Sequence, residues 1–189
     1  GVIILIYFDN ASTTKVDERV TDTMVKYLSE EYGNPSSKYY PKAKNAEKAV
    51  KKSREIIADH LNCNPKEIIF TSGATESNNF IIKGIAEFYK DKGKHIITSK
   101  GEHKATLESC KYLDKKGYDI TYLPLNEKGN IKIKKINKNI KEDTILITLI
   151  WANNELGSIN NISKIGKIAN NNDVFLHVDA TQIIGKKKI

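Results

Sequence analysis

The chain has 189 residues, 39% of them hydrophobic, which suits one packed domain of ordinary size and excludes a disordered chain. Its formal net charge of +8 comes almost wholly from lysine, since Arg19 and Arg54 are the only arginines. Without the planar guanidinium fork or aromatic residues interleaved with the basic ones, that charge argues against nucleic acid as the main partner. No apolar run reaches the length of a membrane-spanning helix.

In chain order, "GVIILIYF" (1–8) is apolar, with no basic flank before it and no small-residue cleavage site after it, and it is predicted as a buried strand rather than a signal peptide. Val20, Met24, Tyr27 and Leu28 share one helical face behind Asp17, a suitable N-cap. "YGNPSSKYYP" is a turn-rich connector. Ala43, Ala46, Ala49, Val50, Ile57 and Leu61 then mark a long amphipathic helix, which "NCNP" ends because Pro65 disfavours helix just before itself. Cys63 and Cys110 have no CxxC spacing and no metal-ligand neighbourhood, so both are expected to be free thiols.

From residue 67 the pattern alternates. "EIIF" (67–70) reads as a short strand and 74–92 as a helix. "HIITS" (95–99) is a strand, 104–116 a helix and "YDITYL" (118–123) a strand. A short basic helix follows at 132–140, then "TILITLIW" (144–151), apolar on both faces. Ile162, Ile165, Ile168 and Ala169 form a helix face, and "VFLHV" (174–178) is the last strand. This predicts an α/β protein with a mostly parallel sheet flanked by helices. Ligands of such sheets bind beyond the carboxyl ends of the strands, which directs attention to the residues after 70, 99, 151 and 178.

After 70 comes "TSGATES" (71–77). A helix that begins there leaves the backbone N–H groups of Gly73, Ala74 and Thr75 unpaired at a positive dipole end, with the Thr75 hydroxyl beside them. That is an anion cradle, although many turns of this composition hold no anion. After 99, "KGEHKA" sets His103 at the mouth of the next helix, as a catalyst or simply as a helix decoration. After 151, "ANNELG" offers Asn153, Asn154 and Glu155 as polar fingers around a turn at Gly157, or only the turn. After 178 stands Asp179, which either caps "ATQIIG" or faces a ligand. His177 shares its strand face, but no third ligand completes a metal site. Taken together, an anion at a helix start, a flat body beneath an imidazole, an amide at a phenolic oxygen and a carboxylate at a ring nitrogen match the parts of pyridoxal 5'-phosphate.

The segments "YFDNASTT", "GNPSS", "FTSGATESNN", "HIITSKGEHKA", "WANNELG" and "HVDATQIIGK" resemble the cysteine desulfurases of the NifS/IscS type, enzymes that use pyridoxal 5'-phosphate and have the aspartate-aminotransferase fold. The resemblance runs along nearly the whole chain, in the family's order. It implies that Ala74 and Thr75 hold the cofactor phosphate and that His103 stacks on the pyridine ring as the catalytic group. Asn154 and Gln182 would reach the phenolic oxygen, and Asp179 the ring nitrogen. It further implies removal of sulfur from L-cysteine to give L-alanine and an enzyme persulfide, a sulfur-acceptor or iron–sulfur scaffold protein as partner, and a homodimer. The compartment would be the cytoplasm for a bacterial source and the mitochondrial matrix for a eukaryotic one.

Family members are much longer than this chain, which resembles their N-terminal portion. Residues 1–14 would belong to the small domain, and 15–189 to an incomplete cofactor-binding large domain. The family's Schiff-base lysine and nucleophilic cysteine have no counterpart here, so the isolated chain is expected not to turn over cysteine. Other readings of the same residues are a selenocysteine lyase, another lyase or transferase of this fold, or an inactive partner chain.

Overall fold

Residues 6–187 are described by the computed structural model, and the chain divides into two compact units after Phe70. The first unit is helical. Helix α1 (Glu18–Ser29) starts where Asp17, in extended conformation, accepts the Arg19 N–H. Helix α2 (Pro41–Leu61) opens on a proline, whose missing N–H costs nothing in a first turn. It closes at Asn62 in the left-handed conformation (φ 51°), with the Cys63 N–H returning to the Ala58 carbonyl. Ala43, Ala46 and Ala58 are the residues that α2 buries, whereas α1 buries none, and its apolar face of Val20, Met24, Tyr27 and Leu28 stands exposed.

Of the two strand expectations in this unit, one falls mainly outside the described residues and the other fails. Residues 1–5 of "GVIILIYF" lie outside the described residues; Ile6, Tyr7 and Phe8 are exposed and form no strand. "EIIF" is not a strand either. Pro65–Glu67 make a single 3-10 turn capped by Asn64, and Ile68–Phe70 run on without a strand partner among the described residues. A side chain holds this segment instead: Arg54 donates Nη1 to the Ile68 carbonyl, and its guanidinium lies 4.7 Å from the centre of the Phe70 ring.

The second unit, from Thr71 onward, is the α/β layer structure. Its elements are α3 (Ala74–Phe88), β1 (His95–Ser99), α4 (Lys104–Asp114), β2 (Asp119–Leu123), α5 (Ile133–Asn139), β3 (Thr144–Ile150), α6 (Ile162–Asn171) and β4 (Phe175–Asp179). The strands pair in the order β2-β1-β3-β4, every pair parallel. Helix α3 stops short of the expected residue 92 and finishes in a turn, with the Lys92 N–H on the Tyr89 carbonyl. Gly93 is needed just beyond, because a Cβ there would stand 2.2 Å from the Asp143 carbonyl oxygen.

Side chains alternate across the sheet and so build two cores. Ile97, Leu123, Ile147 and Leu149 pack with Ile136 of α5 and Ile165 and Ala169 of α6. On the opposite face Ile96 and Leu146 pack with Ile82 and Ala86 of α3 and Cys110 and Leu113 of α4, and Ile145 joins this cluster at the register shift between β1 and β3. Seven consecutive buried residues make β3 the central strand that its unbroken apolar sequence predicts. The α3/α4 face turns polar toward the carboxyl ends of the strands. There it carries Thr98, Thr148, His177 and Asp179, with the Thr148 hydroxyl 2.8 Å from His177 Nδ1. No helix among the described residues is long and apolar enough to cross a membrane.

Candidate active site

The chain leaves β1 for β2 on one side, then returns past β1 to β3 and continues to β4. The connections after β1 and β3 therefore run off to opposite sides of the sheet, and such a switch point is where sheets of this kind bind ligands. Those two loops carry His103 and Asn154. They are pinned together, because Asn153 donates Nδ2 to the Gly101 carbonyl at 2.8 Å.

Asn153 and Asn154 have different tasks. Asn153 Oδ1 accepts the backbone N–H groups of Glu155 (2.8 Å) and Leu156 (2.7 Å), while its carbonyl accepts that of Gly157 (3.0 Å). It is the keystone of the turn. Asn154 is half-buried and its amide has no side-chain hydrogen bond among the described residues, so it is free to meet a ligand. Asn153→Ala is expected to lose about 1–3 kcal/mol of stability, because it strands two backbone donors and the Gly101 carbonyl. Asn154→Ala should leave stability within experimental error, and urea unfolding of the pair measures the contrast.

Asp179 ends β4 and is 6% exposed. Its Oδ1 accepts the Thr181 N–H at 3.1 Å and the Thr181 hydroxyl at 2.7 Å, which is the capping role open to it on sequence grounds. Its Oδ2 accepts Asn78 Nδ2 at 2.8 Å. Burial pushes this acid upward, but the hydrogen bonds from Asn78 and Thr181, with the attraction of His177, outweigh it and hold the carboxyl below its ordinary range. Asp179 is thus an ionised acid, and Oδ2 keeps room for one more donor. The "ATQIIG" segment it caps is a set of turns, with the Ile183 and Ile184 N–H groups on the Ala180 carbonyl. Gln182 in these turns is half-buried and accepts from Lys186 Nζ at 2.8 Å.

Asn78 ties the acid to the start of α3. It lies one turn after Ala74, so the same side of the helix that faces β4 continues up to the exposed Ala74 and Thr75. The Ser72 N–H is already taken by Glu76 Oε2 at 2.6 Å, and the first helical bond returns from Ser77 to the Gly73 carbonyl. No chain acceptor among the described residues takes the N–H groups of Ala74 and Thr75, and the space where a Gly73 Cβ would stand is open. These are the conditions under which a helix start receives an anion.

His103 is the N-cap of α4: its Nδ1 accepts the Ala105 N–H at 3.2 Å. The helix-decoration reading is therefore correct as far as it goes, and it has a consequence. With Nδ1 committed as an acceptor, Nε2 carries the hydrogen and is the nitrogen left for a ligand. Cys110 is fully buried, and burial pushes its thiol up to about 12, so it is no nucleophile at neutral pH. Asn78, Thr181 and Glu102 were not singled out on sequence grounds. Asn78 had a usable signal in its four-residue spacing from Ala74, while Glu102 had none, since a charged residue in a loop reads as solvated.

A parallel sheet with its switch point between β1 and β3, an open helix start, an imidazole and a charged acid define an α/β protein whose polar groups lie where such sheets bind ligands. The aminotransferase class-V family matches residues 6–189, and the chain belongs to it. Among curated relatives, the chain is 49% identical over 181 residues to "Cysteine desulfurase IscS" of Neisseria gonorrhoeae, covering 96% of this chain and 45% of the relative. It is 50% identical over 186 residues to the protein of the same name from Buchnera aphidicola subsp. Baizongia pistaciae, covering 97% and 46%. Among solved structures, a "NifS-like protein" superposes with a TM-score of 0.94 at 40% identity, covering 98% of this chain and 51% of the other. A structure titled "SspA in complex with cysteine" gives 0.93 at 42% identity, covering 97% and 52%. The chain thus spans about half the length of the relatives it matches.

Proposed function

We propose that the protein is a cysteine desulfurase dependent on pyridoxal 5'-phosphate, with this chain supplying the groups that grip the coenzyme. The observation that carries the reading is Asp179, an acid kept ionised although buried and with Oδ2 open to one further donor. A protonated pyridine nitrogen is the donor that such an acceptor suits. Bound there, the coenzyme supplies an electron sink for the electrons released at the substrate Cα.

The chain's own residues divide the remaining work. The Ala74 and Thr75 N–H groups and the Thr75 hydroxyl bind the phosphate, as the open start of α3 allows. Asp179 holds the proton of the ring nitrogen. Asn154 and Gln182 orient the phenolic oxygen through their amides. His103 covers the ring, and its Nε2 is the nitrogen available to hold or pass a proton. Cys110 is too buried to accept sulfur, and Cys63, half-buried in the first unit, is given no part.

By likeness to the relatives, the substrate is L-cysteine, the receiver of sulfur is an acceptor or iron–sulfur scaffold protein, and the enzyme is a cytoplasmic homodimer. On the same basis residues 1–14 are assigned to the small domain and 15–189 to the coenzyme-binding large domain. Two measurements on the purified protein test the reading: a visible-absorption titration with pyridoxal 5'-phosphate, and product analysis after incubation with L-cysteine. This chain should bind the coenzyme saturably without forming L-alanine by itself, since the lysine and the sulfur-accepting cysteine that the likeness implies have no counterpart in it. L-alanine is expected from a protein that carries those two residues as well. A protein that binds the coenzyme but releases alanine only from selenocysteine, or yields another product from cysteine, would overturn the activity while leaving the site.

A further inference from the structure

Glu102 stands one residue before His103, yet it is only 7% exposed. Its Oε1 accepts a short hydrogen bond from the Ser99 hydroxyl, and Ser99 Oγ accepts the Gly101 N–H at 3.2 Å. Together a buried hydroxyl and a buried carboxyl close the loop between β1 and α4 from beneath. Gly101 also receives Asn153 Nδ2 through its carbonyl, so the loop is held from the β3 side too. Three atoms between β1 and α4 are buried without a hydrogen-bond partner among the described residues: Thr98 Oγ1, Thr106 Oγ1 and Glu102 Oε2. Unpaired polar atoms at such depth are costly, and none of the three is used by the coenzyme contacts above.

We propose that Glu102 is a positioning residue: its buried carboxyl, tied to Ser99, fixes the loop between β1 and α4 and thereby holds the His103 imidazole in place at the start of α4. What His103 faces rests on the function proposed above; the tie between Glu102 and the loop does not. The residue's chemistry agrees with its placement. No salt bridge neutralises Glu102 among the described residues. Burial pushes its acid up to about 8, against the Ser99 hydrogen bond and the Ile150 backbone, with the charge of Asp179 adding to the rise. The titratable groups that face it are Asp179 from β4 and Cys110 from α4. Glu102 therefore keeps its proton at neutral pH, which makes its carboxyl a donor as well as an acceptor. A neutral carboxylic acid has an isosteric replacement in glutamine, which a working carboxylate would not.

The experiment follows the nitrogen resonances of the His103 ring in the protein without added ligand, for wild type, Glu102→Gln and Glu102→Ala, together with pyridoxal 5'-phosphate titrations of each. In wild type and Glu102→Gln the ring should show one tautomer, with hydrogen on Nε2. In Glu102→Ala it should average between tautomers, and the dissociation constant of the coenzyme should rise about tenfold. Should Glu102→Ala fail to fold, Glu102→Asp, whose shorter side chain withdraws from Ser99, gives the same comparison. Ring signals unchanged in the Ala or Asp variant, or a Gln variant as damaged as the Ala variant, would overturn the role. Ring signals that respond as expected in a protein that binds no pyridoxal 5'-phosphate would remove the proposed function and leave the role of Glu102 standing.

Discussion

Replacing Asp179 by asparagine is expected to weaken pyridoxal 5'-phosphate binding by roughly 10- to 100-fold, the loss of one charge-assisted hydrogen bond of about 1.5–3 kcal/mol. The change keeps the shape of the residue but removes the charge. It also sets an amide opposite Asn78 Nδ2, which now donates to Oδ2 at 2.8 Å. Asp179→Ala is the harsher variant. It leaves buried Asn78 unpaired and removes the acceptor of Thr181, and a stability loss of about 1–3 kcal/mol should accompany the binding defect. Absorption titration and urea unfolding on both variants separate the two effects. Coenzyme affinity unchanged in Asp179→Asn would remove the central support for the proposed function.

Unfolding free energy is expected to fall by about 1 kcal/mol between pH 7 and pH 8, and the decline should vanish in Glu102→Gln. The sign follows from proton counting. Folded Glu102 holds its proton up to about 8, whereas the unfolded chain releases it near the ordinary value of 4.5. The native state is then the better proton binder over that interval, so stability drops as pH rises through it. Part of the interval is masked. His95 and His177 are both held below their ordinary value of 6.5 by desolvation, so the unfolded chain binds more protons at those two sites when the pH is below that value. Their contribution rises with pH and opposes that of Glu102 until they are neutral in both states. Asp179, held low, contributes stability that is lost only as the solution becomes more acidic than its ordinary range. Above about pH 7, where both histidines are largely neutral in either state, Glu102 is left as the group that governs the slope. Denaturant melts at half-unit pH steps read it directly, and a flat wild-type profile would show that Glu102 is ionised in the folded protein.

The strands of the sheet were legible because their sequences admit one reading. "HIITS" became β1 to the residue, and the continuous apolar run "TILITLI" became a strand buried on both faces. "EIIF" has the same composition and failed, since a strand exists only where a neighbour accepts its backbone bonds, and four residues carry no information about neighbours. The helix starts were legible through their caps, Asp17 for α1 and the small residues around Gly73 for α3. At the site, the sequence located Thr75, His103, Asn154 and Asp179 by a rule about strand ends but left each with a bland alternative. For Asp179 both alternatives hold at once, one oxygen capping Thr181 and the other facing Asn78. The division of labour within "NN" at 153 and 154 depends on which amide reaches Gly101, a contact across 52 positions of chain that no local pattern encodes. Glu102 was invisible for the opposite reason: its residue type announces a solvated surface, and only the fold buries it.

The strand order has a consequence for how the molecule comes into being. No strand among the described residues meets its neighbour through a hairpin. His95 pairs with Asp119 and with Thr144, and Leu146 with Phe175, so each contact closes a loop of some two dozen residues or more. The entropy of those closures falls due before any pairing rewards it, which places the sheet among slow-forming topologies. The nascent polypeptide must therefore carry the bare apolar run of β3 through an interval when neither flanking strand has docked. Refolding by dilution should accordingly succeed only at low protein concentration, where that run meets its own chain before it meets another.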